Sequence, residues 1–327
     1  MKYKIICDFC ENFESKTEQG HINDHQTKET FDEILFAMER LGYTCEIYGG
    51  VPELIKAYQT SEIFDDNTIF LNFSDGTDKK YSRVQVPIIC DLLNVKYSGG
   101  GTFETALTSN KFYSSLAVKN SGCLAPNGIL VTKNENIIFP EGKFLIKPNS
   151  EGSSIGITDK SICNNPEIIS NQVQLLLTQF DEVLVEEYIP GYDVTCFIIG
   201  NDEILLNEIL LIKHHDKMIF NNEVLCYTDH LFETRKFIAN TNILPSETEN
   251  RIKETSEKIK KIFGINDFCR IDYRVTEEQK IYFLEINTVP AISMKSQVGV
   301  ICKHLQISFD TFIDYIVKTV TNRFNHE

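Results

Sequence analysis

The sequence predicts a chain of mixed α/β and α+β class, in which an N-terminal parallel α/β domain precedes an α+β body built on antiparallel sheets. Strand patterns alternate with helical patterns in the first third of the chain, which is typical of parallel sheets. From residue 144 onward, strand-like runs follow one another across polar turns, which favours antiparallel sheets. The length of 327 residues exceeds a typical single domain, so two or three packed units are expected.

The N-terminal elements follow from the spacing of apolar residues. Helical spacing from residue 31 onward predicts a helix, and Gly42 is placed to stop it. The polar stretch before this helix, residues 11–28, predicts a loop. The apolar runs that predict strands or helices in this part are 3–7, 31–41, 68–73 and 88–93.

The later elements are mostly strands, with two amphipathic helices. One helix is predicted to start at the Ser-x-x-Glu capping box of Ser246 and Glu249 and to end at Gly264. The last helix carries an apolar stripe between Phe312 and Val317. The predicted strands are 144–147, 183–188, 194–199, 203–212, 267–275 and 281–287.

The charge balance excludes some classes of partner. With 32 Lys and Arg against 47 Asp and Glu, the formal net charge is −15, so the chain lacks the cationic excess that nucleic acids require. A small anion stays compatible, because a local basic pocket or a divalent cation can hold it. No apolar stretch reaches the ~18–20 residues of a membrane span, and no cleavable signal segment follows Met1. We therefore expect a cytoplasmic protein with neither nucleic acid nor membrane as a partner.

The ten cysteines carry little information. Only Cys7 and Cys10 form a Cys-x-x-Cys pair, which without a second pair is a weak zinc signal. A redox pair is an alternative. We interpret both as reduced thiols, with Cys7 at the end of a buried strand.

Two short segments carry the strongest chemical pattern. Arg270 and Asp272 share one face of a predicted strand, because side chains alternate along a strand. Glu285 and Asn287 share one face of the next strand. If the two strands form a hairpin about residues 278–279, Asp272 lies opposite Glu285. The same register places Arg270 opposite Asn287, and directly opposed side chains have Cβ atoms about 4.5–5.5 Å apart.

This set of polar residues suits a magnesium site. Two opposed carboxylates repel unless a positive charge lies between them. Oxygens of Asp, Glu and Asn suit Mg²⁺, which usually keeps waters and takes further ligands from substrate phosphates. Arg270 adds a fixed positive charge for an anion. A solvent-facing sheet with simple Arg–Glu pairing is the alternative, but four in-phase polar residues on two otherwise apolar strands favour a site.

Two further segments suggest nucleotide contacts. Lys147 ends an apolar run and precedes a Gly- and Ser-rich loop at 149–156, whose N–H groups and hydroxyls can hold phosphates. The loop lacks the Gly-Lys-Ser/Thr ending of a Walker A motif. A second apolar run leads into Glu186, Glu187 and a Pro-Gly turn, where a strand end and a carboxylate suit adenine and ribose. Each segment also has a simpler interpretation when it is taken alone. The first can be an ordinary turn, and the second can be an edge strand with a solvated acidic end.

Together these segments resemble the ATP-grasp enzymes, specifically the D-alanine–D-alanine ligase family. The resemblance runs from about Tyr97 to the C-terminus and rests on four ordered matches. They are Tyr97-Ser98-Gly99-Gly100-Gly101 with Asn110-Lys111, Lys147-Pro148 with Glu151-Gly152-Ser153-Ser154-Ile155-Gly156, Arg270-Ile271-Asp272, and Glu285-Ile286-Asn287-Thr288 with Pro290.

The resemblance implies a three-domain ATP-grasp fold, with an N-terminal parallel α/β domain and two antiparallel-sheet-containing α+β domains. A substrate-side domain would span 1–98, and a central lid domain would span 99–185. A C-terminal domain with the metal-binding and catalytic residues would span 186–327. A homodimer is expected from the resemblance alone.

The resemblance also implies roles for the matched residues. ATP would be the nucleotide, with its phosphates on Lys111 and Lys147 and a closing loop that includes Glu151, Ser153 and Ser154. Adenine and ribose would be held by Glu186, Glu187, Ile189 and Asp193. Two Mg²⁺ ions, for which Mn²⁺ could substitute, would be bound by Asp272, Glu285 and Asn287. The catalytic residues would be Arg270, Lys147 and the substrate-side Ser153. The carboxylate of the acceptor amino acid would bind at Ser296.

The implied reaction joins two amino-acid substrates. ATP phosphorylates a carboxylate, an amine attacks the acyl phosphate, and phosphate leaves, so charge and positioning supply the catalysis. The leading interpretation is a D-alanine–D-alanine ligase type of activity, which serves the cell wall. The alternatives are a ligase for other amino acids in a specialised biosynthetic pathway, and a nucleotide-binding regulatory module without turnover.

The substrate side departs from the family pattern. The polar stretch 11–24 replaces the family's N-terminal Gly-Gly…Glu segment, and residues 72–76 replace the segment after its second strand. The family's mobile loop with a Lys-Tyr pair is not recognisable between residues 221 and 240. Ala291 stands where the family has a Gly whose backbone helps to form the oxyanion site. We therefore expect the first substrate to be where this chain differs from its relatives.

One histidine pair invites a metal interpretation. We interpret His214 and His215 instead as residues of a solvated turn between strands. Adjacent strand residues point to opposite faces, so the two rings would be poorly placed to share an ion.

Overall fold

Three sheets follow one another along the chain in the computed structural model, which describes residues 1–9, 26–77, 80–133, 135, 137–226, 229 and 234–326. Cys10 and most of the predicted loop at 11–28 lie outside the described residues, as do 227–228 and 230–233. The sheets span residues 2–97, 128–187 and 191–287. The domain limits at 98 and 185 stay predictions.

The N-terminal sheet is parallel, as the sequence predicts. Its strand order is β2-β1-β3-β4, and all of its neighbouring strands run parallel. The strands are β1 (Lys2–Ile6), β2 (Thr44–Gly49), β3 (Thr68–Asn72) and β4 (Lys96–Tyr97). The helices are α1 (Lys28–Arg40), α2 (Val51–Gln59) and α3 (Gln85–Leu93), with a short 3-10 helix at Ser82–Val84.

Sequence patterns find β1, β3, α1 and α3 of this part but miss β2, β4 and α2. Gly42 ends α1 as predicted, with a φ of +81° and its N–H donating to Glu39 O at 2.9 Å. Strand β2 is missed because it is only partly buried, so it lacks the continuous apolar run of β1 and β3. Helix α2 is missed although its buried residues, Val51, Leu54 and Ala57, lie at helical spacing.

The central sheet is antiparallel and carries one helix across its face. The strand order is β5-β8-β6-β7. The strands are β5 (Gly128–Thr132), β6 (Phe144–Pro148), β7 (Ile162–Cys163) and β8 (Glu182–Glu187). The helices of this part are α4 (Thr102–Thr108), α5 (Lys111–Asn120) and α6 (Pro166–Leu177), and the buried side of α6 packs on the sheet.

The C-terminal sheet is also antiparallel, as predicted. Its order is β12-β10-β9-β13-β14, with β11 paired to β9. The strands are β9 (Gly191–Gly200), β10 (Ile204–His214), β11 (Ile219–Phe220), β12 (Arg235–Ala239), β13 (Phe268–Val275) and β14 (Ile281–Asn287). The helices are α7 (Ser246–Ile262), α8 (Gln297–Leu305) and α9 (Phe309–His326). The predicted stripe of α9, from Phe312 to Val317, is fully buried.

The capping box predicted for α7 is wrong. Pro245 occupies the N-cap, Ser246 is already helical, and its side chain makes no capping bond. The carboxylate of Glu249 instead accepts from Asn240 Nδ2 at 2.7 Å, so a tertiary contact replaces the local one. Gly264 does end the helix, with a φ of +65°.

One face of the C-terminal sheet changes from apolar to polar along its length. Near one end, Phe268 packs on Phe73 of the N-terminal part at 5.9 Å between ring centroids, and Phe197 packs on Phe312 of α9 at 5.4 Å. Farther along the same two strands, every second residue on this face is polar. These residues are Asp193, Thr195, Arg270, Asp272 and Arg274. The change marks where the site begins.

The two adjacent histidines form the predicted turn, but their side chains lie together. His214 ends β10, and His215 has a φ of +49°, which takes it out of the alternating strand geometry. The ring centroids are therefore only 4.4 Å apart, and the expectation of opposite faces is wrong.

No helix in the described part of the chain combines the length and the apolarity that crossing a membrane requires.

Candidate active site

The hairpin of β13 and β14 has the predicted register at the site. Asp272 pairs with Glu285, and Arg270 pairs with Asn287. Toward the turn the register shifts by one residue, because Tyr273 pairs with Phe283 and leaves Leu284 as a β-bulge. The bulge explains why Phe283 packs in the core under α7 while Glu285, two residues later, lies on the polar face.

Arg270 supplies the positive charge that the facing carboxylates need. Its Nε and Nη2 donate to the two oxygens of Asp272 at 3.0 and 2.7 Å, and Nη2 lies 3.8 Å from Glu285 Oε1. Thr195 Oγ1 donates to Asp272 Oδ1 at 2.6 Å, and Asn287 Nδ2 donates to Glu285 Oε1 at 3.3 Å. The carboxylates are thus held in place by fixed donors before any ligand binds.

The two carboxyls differ in how their surroundings act on them. Burial raises the pKa of Asp272, against the lowering effect of Arg270. Burial acts the same way on Glu285, but Lys111, Arg270 and Lys147 together outweigh it and hold the pKa of Glu285 well below its usual range. Glu285 is therefore ionised at neutral pH.

Lys111 links the hairpin to the glycine-containing loop. It is the first residue of α5, whose N-cap Asn110 accepts from Tyr113 N at 3.0 Å. Its Nζ lies 3.1 Å from Glu285 Oε2 and also donates to the carbonyl of Glu151. Lys111 therefore brings the loop at Glu151 and the hairpin residue Glu285 together.

Lys147 forms a buried ion pair with Glu186. The two residues lie on neighbouring strands β6 and β8, with Nζ 2.5 Å from Oε1, and only 5% and 4% of their surfaces are exposed. Removing one partner of such a pair leaves an uncompensated charge inside the protein. Lys147 also lowers the pKa of Glu285, so its charge stabilises carboxylates both in the central sheet and on the hairpin.

The loop after β6 has an unusual backbone. Ser153 and Ser154 adopt φ values of +46° and +60°, in the left-handed region that non-glycine residues rarely occupy. Gly156 has a φ of +77°, and a Cβ there would lie 2.5 Å from Pro148 Cγ, so only glycine fits. Strain of this kind accumulates at ligand-binding segments.

The predicted adenine side contains a residue that the sequence analysis missed. Arg274 Nε lies 2.8 Å from Asp193 Oδ1, and its Nη1 donates to Ile189 O at 3.2 Å. Burial raises the pKa of Asp193, although Arg274 opposes this. Strand alternation does predict that Arg274 lies on this face, because it continues the alternating series of Arg270 and Asp272. Glu187 lies apart from this group, exposed at the end of β8.

Arg83 is a second missed residue. It comes from the 3-10 helix of the N-terminal part, with Nε 2.7 Å from Asp75 Oδ1 and Nη1 donating to Asn287 Oδ1 at 3.1 Å. Its two partners are separated by more than two hundred residues, so no linear pattern could reveal the contact. The positively charged side chain of Arg83, from the N-terminal part, therefore lies against the polar face of the hairpin.

Another polar group lies at the carboxyl ends of β1 and β3. Asp8 is buried and accepts from Val51 N, at the start of α2, at 3.2 Å, and from Ser74 Oγ. A Cβ at Gly50 would lie 1.9 Å from Asp8 Oδ1, so the close approach requires glycine. Open parallel sheets commonly bind ligands at the carboxyl ends of their strands, and Asp8 and Ser74 lie at that edge.

Ser296 is the N-cap of α8. Its Oγ accepts from Val298 N at 3.3 Å and donates to Ser293 O at 2.8 Å. Ala291, where the family pattern has Gly, has an ordinary negative φ, so the extra methyl group causes no backbone strain.

The donor set on the hairpin fits Mg²⁺. Two carboxylates and one amide oxygen lie on one sheet face, which is the hard-oxygen chemistry that Mg²⁺ prefers. The surrounding cations, Lys111, Lys147 and Arg270, suit a phosphate chain bound beside such an ion.

The chain is similar in sequence to D-alanine–D-alanine ligases. A family model described as the D-ala D-ala ligase C-terminus matches residues 119–318. The D-alanine–D-alanine ligase of Aquifex aeolicus is 30% identical over 70% of this chain and 75% of its own length. The corresponding enzyme of Fervidobacterium nodosum is 29% identical over 80% of this chain and 84% of its own.

Solved structures confirm the predicted fold class. The D-alanine–D-alanine ligase of Bacillus anthracis complexed with ATP superposes with a TM-score of 0.74 at 19% identity, covering 99% of this chain and 98% of its own. The VanG D-Ala:D-Ser ligase of Enterococcus faecalis gives a TM-score of 0.70 at 18% identity, covering 98% and 99%. At such low identity, these matches establish the fold alone.

Proposed function

The chain belongs to the D-alanine–D-alanine ligase family, and we propose that it is an ATP-dependent ligase that joins D-alanine to a second amino acid. One observation carries the proposal. Asp272 and Glu285 face each other with Arg270 between them, and Lys111 reaches Glu285 from outside the sheet. This arrangement suits a reaction in which a carboxylate is activated as an acyl phosphate and attacked by an amine.

Lys111 and Lys147 bind the phosphates of ATP in this proposal. Lys147 already faces the buried carboxylate of Glu186, and Lys111 faces the partly buried carboxylate of Glu285, so both ammonium groups are held in place by the protein itself. The loop with Glu151, Ser153 and Ser154 covers the nucleotide and excludes water, which strengthens each charge interaction inside. Adenine and ribose bind at the end of β8 and the start of β9, beside Glu186, Glu187, Ile189 and Asp193.

Asp272, Glu285 and Asn287 would hold two Mg²⁺ ions, for which Mn²⁺ could substitute. When bound, the metal neutralises phosphate charge and polarises the transferred group. Arg270 stays charged throughout, because Asp272 and Glu285 raise its pKa in spite of its burial. Its guanidinium therefore stabilises negative charge that develops on the phosphate and the attacked carbonyl.

Ser296 and Ser153 act on the substrate side in this proposal. Ser296 caps α8, and the free N–H groups at a helix start favour a carboxylate such as that of the acceptor amino acid. Ser153 lies in the strained loop and would face the reacting group. The cytoplasmic location and the homodimer also stay predictions.

A second candidate is a ligase of the same type with a different first amino acid. Arg83, Asp75, Asp8 and Ser74 favour it, because they surround the substrate side with polar groups that the family pattern does not predict. A regulatory module without turnover is disfavoured, because a pure binder does not need Arg270 aimed between two carboxylates.

The test is a screen of amino-acid pairs with ATP and Mg²⁺, in which mass spectrometry detects dipeptides and ADP is measured in parallel. We expect D-alanine to give a dipeptide in at least one pairing. A dipeptide only from pairs without D-alanine would favour the second candidate. Background ADP release with every D- and L-amino acid would contradict the ligase assignment.

A further inference from the structure

A cluster of metal-binding side chains lies outside the candidate active site. His214, His215 and Asp229 each offer a ligand atom, and these atoms all lie within 4.8 Å of one another. His214 Nε2 is 2.8 Å from Asp229 Oδ1. His214 and His215 lie at the end of β10, and Asp229 lies in the connection between β11 and β12. The proposed ligase reaction uses none of the three.

The backbone turn is what brings the histidines together. A φ of +49° at His215 tilts its ring toward that of His214, with an interplanar angle of 41°. The turn is closed by two backbone hydrogen bonds between His214 and Lys217, at 3.0 and 2.9 Å. A non-glycine residue in the left-handed region costs free energy, and such residues concentrate at functional sites. Here the strained residue brings two imidazole rings together.

The partners of the cluster orient two of its three members. Asp229 Oδ1 accepts from Thr234 Oγ1 at 2.8 Å, and Oδ2 accepts from Cys226 N at 2.8 Å. The ring of His214 stacks on Phe220 at 6.3 Å with an interplanar angle of 6°. Such outer contacts fix the orientation of ligands in metal sites. His215 is exposed, which leaves an open path for an ion.

We propose that His214, His215 and Asp229 bind one Zn²⁺ or a similar transition-metal ion. Two imidazole nitrogens and one carboxylate oxygen suit Zn²⁺, with a fourth position for solvent. Tetrahedral bonds of about 2.0–2.1 Å place donor atoms roughly 3.3 Å apart. Metal binding would replace the hydrogen bond between His214 Nε2 and Asp229 Oδ1, release its proton to solvent, and separate these atoms, now 2.8 Å apart, by about 0.5 Å. The exposed ring of His215 has to move inward by about 1–1.5 Å, a side-chain rotation that its position allows. The ion would tie the connection between β11 and β12 to the end of β10.

This site differs in chemistry from the hairpin. Asp272, Glu285 and Asn287 offer only oxygen to a metal, whereas the cluster offers mostly nitrogen. Excess Mg²⁺ should therefore saturate the hairpin and leave the cluster available to Zn²⁺.

The test is calorimetric titration of the full chain with Zn²⁺, in excess Mg²⁺ and without ATP or amino acids. We expect one Zn²⁺ per chain, with affinity reduced at least about tenfold in His215→Ala, since even outer-sphere changes cost about 10–100-fold. His215→Ala is the first choice because an exposed side chain is removed without opening the core. Asp229→Asn, which keeps an oxygen toward Cys226 N, should weaken binding as well.

Matched controls separate this site from others. His304→Ala removes another exposed histidine, on α8, and Asp272→Asn alters the hairpin, so both should leave Zn²⁺ affinity unchanged. With Co²⁺ as a probe, the spectrum should lack thiolate charge-transfer absorption. Absence of Zn²⁺ binding, or unchanged affinity in both His215→Ala and Asp229→Asn, would overturn the proposal. None of these outcomes depends on ligase activity.

Discussion

Two halves of the site are built in different ways. The half proposed to bind the nucleotide, called the nucleotide half, comprises Lys111, Lys147, Glu186 and the β13–β14 hairpin, and its charged groups come mainly from neighbouring strands. The half proposed to bind the first substrate, called the substrate half, comprises Asp8, Ser74, Asp75 and Arg83, which come from loop ends of the N-terminal part and one short helix. Strand pairing fixes the first set through backbone registry, whereas only tertiary contacts fix the second. The geometry of the nucleotide half therefore follows from local strand pairing, whereas that of the substrate half depends on how the N-terminal part packs on the C-terminal sheet.

The largest effect is expected at the buried pair of the nucleotide half. Lys147→Met should destabilise the protein by about 3–5 kcal/mol, because it leaves Glu186 charged and unpaired inside the protein. The double variant Lys147→Met with Glu186→Gln should recover most of that stability but not the ATP-dependent activity. Urea unfolding measures the first part and ADP release the second. A double variant as unstable as the single one would show that the charge pair is not the cause.

The next effect concerns the hairpin alone. Asp272→Ala should lower kcat by more than about 100-fold, since it removes a proposed metal ligand together with the partner of Arg270. Glu277→Ala, an exposed acid in the turn of the same hairpin, is the matched control and should keep full activity. Equal activity in the two variants would place the metal site elsewhere.

These two predictions rest on what one sequence can show. Period-two alternation predicts that Arg270 and Asp272 share a face, and the hairpin turn predicts their partners, because both rules act over a few residues. The same alternation extends to Arg274, although the sequence analysis did not use it. The bulge at Leu284 is not encoded in any simple pattern, and it determines where the polar face ends.

The substrate half could not be predicted in this way. Arg83, which is paired with Asp75, contacts Asn287 only where the N-terminal part packs against the C-terminal sheet. The Ser246 capping box failed for a similar reason, since a tertiary contact to Asn240 takes Glu249. Local rules predict local structure, and long-range contacts override them where elements meet.

A smaller effect, expected from a change at Arg83, should show which residues belong to which half. Arg83→Met should raise KM for the first amino acid about tenfold and leave KM for ATP unchanged, because it removes a cation of the N-terminal part that is proposed to bind this substrate. A hydrogen bond to a charged group contributes about 1.5–3 kcal/mol. Arg40→Met is the control, since Arg40 forms an exposed pair with Asp310 far from the hairpin. A rise in KM for ATP instead would assign Arg83 to the nucleotide half.

The smallest effect is expected at Ser296. Ser296→Ala should cost about 1 kcal/mol of stability through loss of the α8 cap. Ser296→Thr keeps a capping oxygen and should recover the stability. If Ser296 also binds the acceptor carboxylate, Ser296→Ala raises KM for the acceptor amino acid. A loss of stability with unchanged KM would limit the residue to capping.

The most direct test of the account is the Mg²⁺ dependence of ATP turnover in the wild type and in Glu285→Gln. Glutamine keeps the size of the side chain but removes the charge that faces Asp272 and Lys111. We expect the Mg²⁺ concentration for half-maximal activity to rise at least about tenfold. An unchanged Mg²⁺ dependence in a folded Glu285→Gln protein would contradict the claim that the hairpin carboxylates hold the metal.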